Sequence, residues 1–182
     1  FSHHRTHGYF LSKGVKMREL FAELYGKETG SSGGLSGSMD ISSPKDNFFS
    51  GAILGGAASI AMGVAMNLKM SNKKGPVVFA GLGDGATEEG IFWETLNYCS
   101  LQKLPIIFIC ENNNYSTFSP QKKRQSGSSI ASRAKSFGTN SCQLFGSDIC
   151  EIYKKLNNFT NLARKGDGPF LLEIFTYRFS SH

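Results

Sequence analysis

The chain has 182 residues, of which 40% are apolar and 12% aromatic, enough for one sizeable core and too few for two. Twenty basic against fourteen acidic residues give a net charge of +6, which favours an anionic ligand or partner. The dense basic run Lys122-Lys123-Arg124 lacks the basic and aromatic alternation of a nucleic-acid platform, so it reads as a solvated loop and no nucleic-acid partner is expected.

The sequence opens on Phe1 rather than Met and stops at His182 just after a strand pattern, so residues 1–182 read as a single domain excerpted from a longer chain. Met17 to Tyr25 places Leu20, Phe21 and Leu24 on one side at helical spacing, with Gly26 as its C-cap. Glycine and serine dominate from Gly30 to Ser38, a loop whose backbone can approach a ligand closely. Ala52 to Met66 is uncharged, but Asn67 and Lys69 end it below the roughly 20 residues of a bilayer span. It reads as a buried helix.

From Pro76 the pattern becomes strands alternating with helices. Val77 to Ala80 and Ile106 to Cys110 are continuous apolar runs and Phe170 to Phe175 (FLLEIF) is apolar but for Glu173, separated by helical patterns at about Glu88 to Leu101 and Ile149 to Arg164. Such a series predicts an α/β fold: a parallel sheet with helices on both faces and ligands bound beyond the carboxyl ends of the strands. The four cysteines show neither metal-site spacing nor disulfide density, and are expected to be reduced core thiols in a cytoplasm-like compartment. An organellar matrix is the alternative if a transit peptide precedes Phe1.

Glycines between the first strand and its helix (Gly81 to Gly90) allow backbone N–H groups to face a phosphate. Two chemistries fit. Gly81-x-Gly83-x-x-Ala86 with Glu111 closing the next strand matches the pattern of a NAD-binding dehydrogenase domain. The carboxylate of Asp84 instead repels a phosphate unless a cation lies between them, and Asn112, Asn113 and the backbone at Tyr115 offer further oxygens to a hard ion such as magnesium.

Gly83-Asp84-Gly85, 26 intervening residues and Asn112-Asn113 resemble the thiamine-diphosphate signature. The surrounding sequence, with residues 3–8, 23–30, 32–39, 51–65 and 176–182, is similar to alpha subunits of 2-oxo acid dehydrogenases, the pyruvate, branched-chain and acetoin enzymes. The resemblance implies the thiamine-diphosphate-binding fold, with thiamine diphosphate and Mg2+ as cofactors. Asp84, Asn113 and the Tyr115 carbonyl would bind the metal. Gly85 and Ala86 would offer N–H groups to the diphosphate and Arg5 would contact it, with His4 where several relatives have tyrosine. Asn112 would hold the loop, Ala52 and Leu54 would meet the aminopyrimidine through their backbones, and His182 would bind the diphosphate or act as a catalytic proton donor.

The implied activity is oxidative decarboxylation of a 2-oxo acid, or acetoin cleavage, with acyl transfer to a lipoyl acyltransferase. The implied partner is a beta subunit in an alpha2-beta2 assembly that brings the activating glutamate. A catalytically silent assembly subunit of the same fold is the other alternative. Two positions depart from the family: Asp40, where many relatives have histidine, and Ser180-Ser181, where they have His-Gly.

Overall fold

A computed structural model describes residues 1–127 and 129–180, and in it the three apolar runs become three of four parallel strands. These are β1 (Val78–Gly83), β2 (Ile106–Asn112), β5 (Asn140–Phe145) and β6 (Phe170–Phe175), in the order β1-β2-β6-β5. A separate antiparallel hairpin pairs β3 (Tyr115–Ser116) with β4 (Ser119–Pro120). Strand β5 escapes a reading by periodicity because it is an edge: of its six residues only Leu144 is buried.

Helices cover both faces. On one, α3 (Leu54–Met70), α4 (Gly90–Leu101) and α5 (Ile130–Lys135) pack Ala58, Ala61, Phe92, Leu96 and Ile130 against Ala80, Leu82 and Phe108. On the other, α6 (Ile149–Arg164) lays Ile152, Phe159 and Ala163 against Ile107, Phe170 and Leu172. The Asp148 side chain caps α6 by accepting the Glu151 N–H at 2.8 Å. Helix α3 is not buried all round: Gly55, Ala58, Ala61 and Ala65 form one inward face, while Ile60 is 62% exposed. Its small residues fit close packing on β1 and α4, and its β-branched residues Ile60 and Val64 are exposed. Among the described residues no helix is long and apolar enough to cross a membrane. Cys99 and Cys110 are buried free thiols, but Cys142 is half-buried and Cys150 exposed, so only two of the four belong to the core.

The N-terminal region has its own small core of Phe10, Val15, Leu20, Ile41 and Phe48, built with α1 (His7–Ser12) and α2 (Met17–Leu24). The glycine-serine loop wraps Glu23, which is wholly buried: Oε2 accepts from the N–H groups of Ser32 (2.7 Å) and Gly34 (3.0 Å), and Oε1 from the N–H and hydroxyl of Ser36 (2.8 and 2.7 Å). Burial opposes its ionisation, yet these bonds prevail and hold the carboxyl at about 2. Gly34 is forced by the same packing: its φ is +77°, and a Cβ would lie 2.4 Å from the backbone of Gly26.

Candidate functional site

Strand register builds the site. Gly83 lies opposite Glu111, and Asn112 opposite Phe175, so the turn after β1 and the loop after β2 emerge side by side at the carboxyl edge of the sheet. Asp84 starts a 3-10 turn over Asp84–Glu88, with the Thr87 hydroxyl donating to its carbonyl at 2.7 Å. Asn112 is buried and holds the loop: its amide donates to Glu173 (2.8 Å) and Gln121 (3.2 Å), and its oxygen accepts the Asn114 N–H at 2.9 Å. The oxygen of Asn113 accepts the Tyr115 N–H at 2.9 Å.

The N-terminal arm closes the other side. Phe1 donates to the Phe79 carbonyl and accepts from Gly81, and Ser2 bonds Phe49, which lays the arm along the outer edge of β1. Glu111 grips the arm twice, through the Tyr9 hydroxyl and through His3 Nε2 at 3.3 Å. Burial opposes ionisation of Glu111, but these contacts and nearby Arg5 hold its carboxyl below the usual range, and the same burial and carboxylate drive the Tyr9 phenol far up. The Arg5 N–H donates to His3 Nδ1 at 3.1 Å, which orients the ring so that Nε2 faces Glu111.

These walls enclose a cleft of about 430 Å³. His4, Arg5, Ala52, Leu54, Asp84, Gly85, Ala86, Asn113 and Tyr115 all line it. His182 lies outside the described residues. Six more lining residues carried no assigned role in the sequence: His3, Met39 and Thr176, which lie within the segments of resemblance, and Glu89, Ser116 and Thr117. Two carboxylates tether the segment around Ala52 and Leu54: Asp40 accepts the Ala52 N–H at 2.8 Å and Glu89 the Gly55 N–H at 3.2 Å. At Gly85 a Cβ would fall 2.9 Å from Ser116 Cβ, so the bare backbone there is a packing requirement.

Arg124 departs from the solvated loop expected of Lys122-Lys123-Arg124. Its side chain is 11% exposed, with Nη2 at 2.6 Å from Asp84 Oδ2 and Nη1 on Glu88. Gln125 adds a bond to the Asp84 carbonyl at 3.0 Å. Burial raises the Asp84 carboxyl above its ordinary range, against the pull of Arg124. Arg124 stands outside the set lining the cleft, so it braces Asp84 from behind the wall.

The arrangement weighs against a dinucleotide. In a dinucleotide fold the acid closing the second strand is free to hold the ribose, whereas Glu111 is already engaged by Tyr9 and His3.

Across residues 1–182 the sequence matches the family described as "Dehydrogenase E1 component". It is 36% identical over its whole length to the alpha subunit of the acetoin:2,6-dichlorophenolindophenol oxidoreductase of Bacillus subtilis, covering 54% of that protein. It is 38% identical over 98% of its length to the mitochondrial pyruvate dehydrogenase E1 component subunit alpha of Dictyostelium discoideum, covering 46% of it. The chain thus spans about half the length of these relatives. Among solved structures it resembles the transketolase of Campylobacter jejuni, with a TM-score of 0.62 and 26% identity over 70% of this chain and 20% of that one. The chain belongs to the dehydrogenase E1 component family.

Proposed function

We propose that residues 1–182 form the cofactor-binding domain of an alpha subunit of a thiamine-diphosphate- and Mg2+-dependent 2-oxo acid dehydrogenase, working with a beta subunit and a lipoyl acyltransferase in a cytoplasm-like compartment. One observation carries this reading: Asp84, Asn113, Tyr115, Arg5 and the backbone of Gly85 and Ala86, far apart in sequence, surround a single cleft. Its volume falls in the ~300–1,000 Å³ range of small-molecule sites.

The residues fit the groups. Among the described residues no three His, Cys, Asp or Glu side chains gather as a metal site. The proposed set instead combines one carboxylate, one amide oxygen and one backbone carbonyl, the mixture of hard oxygens magnesium accepts beside phosphate and water. Asp84 is 1% exposed, with Oδ2 braced by Arg124 at 2.6 Å while the residue still lines the cleft. The closely packed Gly85 leaves its amide open to a diphosphate oxygen, and Arg5 adds positive charge.

Thiamine diphosphate, when bound, supplies the electron sink for loss of carbon dioxide from a 2-oxo acid. The chain's own groups bind and orient. Asp84, Asn113 and the Tyr115 carbonyl would hold the metal, Asp40 and Glu89 tether the segment whose Ala52 and Leu54 would meet the aminopyrimidine, and the arm clamped by Glu111 carries His4 and Arg5 to the cleft. His182 takes the catalytic role by the family resemblance, moving a proton during acyl transfer.

The test is reconstitution of the full-length chain with its beta subunit and lipoyl acyltransferase, supplied in turn with pyruvate, branched-chain 2-oxo acids and acetoin. Substrate-dependent acylation of the lipoyl group is expected. An assembled complex inert to every substrate identifies a silent subunit, and NADH binding without magnesium identifies a dinucleotide domain.

A further inference from the structure

At the opposite end of the sheet, where β1 and β2 begin, lies a recess of about 280 Å³ ringed by Lys69, Lys73, Lys74, Lys103, Arg164 and Lys165. Four stretches of chain bring them together: the end of α3, the turn at 72–75, the α4–β2 connection and the end of α6. Left-handed residues at each helix exit, Asn72 (φ 51°), Lys103 (φ 46°) and Gly166 (φ 91°), fold the chain back so that the cations share one rim. Arg164 Nε donates to the Gly75 carbonyl at 2.9 Å and Lys69 to that of Gln102, locking the segments together.

Cations at helix carboxyl ends offset the macrodipole, so some positive charge here is structural. The magnitudes leave a surplus. Three helix ends carry about half a negative charge each, roughly 1.5 in all, against six cations. Among the described residues none of the six forms an ion pair with a carboxylate. Outside the six, the chain has fourteen basic and fourteen acidic residues, so its net charge of +6 equals the charge of this recess.

The floor is apolar, formed by Leu68, Pro76, Pro105 and Ala163. It offers no aromatic ring to stack a nucleobase. Five of the six cations are lysines, point charges that pair with an anion without fixing its geometry, so the apolar floor is what favours a side-chain-bearing ligand over a free phosphate. We propose that this recess docks an acidic polypeptide segment of a partner, with carboxylates on the lysine rim and an apolar side chain on the floor. The proposal stands apart from the cofactor reading, since the two sites occupy opposite ends of the strands.

The probe is a fluorescein-labelled peptide alternating Glu and Leu, titrated into the full chain at low and at physiological salt. Expected is binding that weakens with salt and at least tenfold in Lys73→Glu/Lys74→Glu/Lys103→Glu, with Lys73→Gln/Lys103→Gln intermediate. Charge reversal at Lys122 and Lys123, the other basic cluster, should leave affinity within twofold. Equal losses from both clusters, or none from the recess variants, overturn the proposal. So does inorganic tripolyphosphate that binds more tightly than the peptide with the same sensitivity to the recess variants, which would make the recess a phosphate site.

Discussion

Arg124 Nη2 stands 2.6 Å from Asp84 Oδ2, placing a guanidinium behind the carboxylate proposed to hold the metal. Both side chains are nearly buried, so removing the cation leaves an uncompensated charge. Burial already raises the Asp84 carboxyl, so the folded state holds its proton more tightly than the unfolded chain. That charge costs stability as pH rises through the window above the ordinary value of 3.8. Arg124→Gln should therefore destabilise by about 3–5 kcal/mol near neutral pH. The deficit should shrink toward pH 4, as protonation removes the charge. Magnesium should raise the melting temperature of the variant more than that of the parent. Thermal denaturation against pH and metal reads both effects, and a pH-independent deficit would rule out this electrostatic account.

Glu111 should matter through the arm it holds. Glu111→Gln and Tyr9→Phe each loosen a contact to a partly buried carboxylate and are expected to cost about 1–3 kcal/mol. Limited proteolysis should cut the segment preceding α1 faster in both variants. Unchanged cleavage rates would show that the edge contacts of Phe1 and Ser2 suffice.

Acid should release the glycine-serine loop late. Glu23 titrates at about 2 in the folded chain against an ordinary 4.5, so its contribution is complete above 4.5 and is lost as pH falls toward 2. Glu23→Gln should be less stable than the parent by about 1–3 kcal/mol at pH 7. The two unfolding curves should converge as pH falls from 4.5 to 2. A gap that stays constant over that range contradicts the assignment.

Gly85 tests the packing of the turn proposed to bind the diphosphate. Its Cβ would meet Ser116 at 2.9 Å, so Gly85→Ala should push the β3 segment away and weaken thiamine diphosphate binding about tenfold, roughly 1.4 kcal/mol. Ser116→Gly added to Gly85→Ala should restore part of the affinity, because it removes the atoms in the way. Isothermal titration of both variants decides. Absence of rescue would place the defect in the cleft itself.

Much of this layout was legible because strands buried on both faces are written as apolar runs, and register then obliges Asp84 and Asn112 to emerge together. What escaped depends on distant partners. Nothing near Arg124 distinguishes it from Lys122 and Lys123, and only the fold brings Asp84 beside it. Glu173 hides in the apolar run FLLEIF, yet it is buried and receives Asn112, Ala131 and Gln143. Edge strand β5 is too polar to stand out, and the basic recess draws its cations from four separate stretches.

The central claim is that Asp84 binds a metal that in turn holds thiamine diphosphate. Its most direct test is calorimetric titration of the full-length chain, assembled with its beta subunit, with thiamine diphosphate in the presence and absence of magnesium, for the parent and Asp84→Ala. Binding by the parent should require magnesium. The variant should lose about 100-fold in affinity or more, since even groups behind a metal's ligands are worth about 10–100-fold. Undiminished magnesium-dependent binding by Asp84→Ala would contradict the claim.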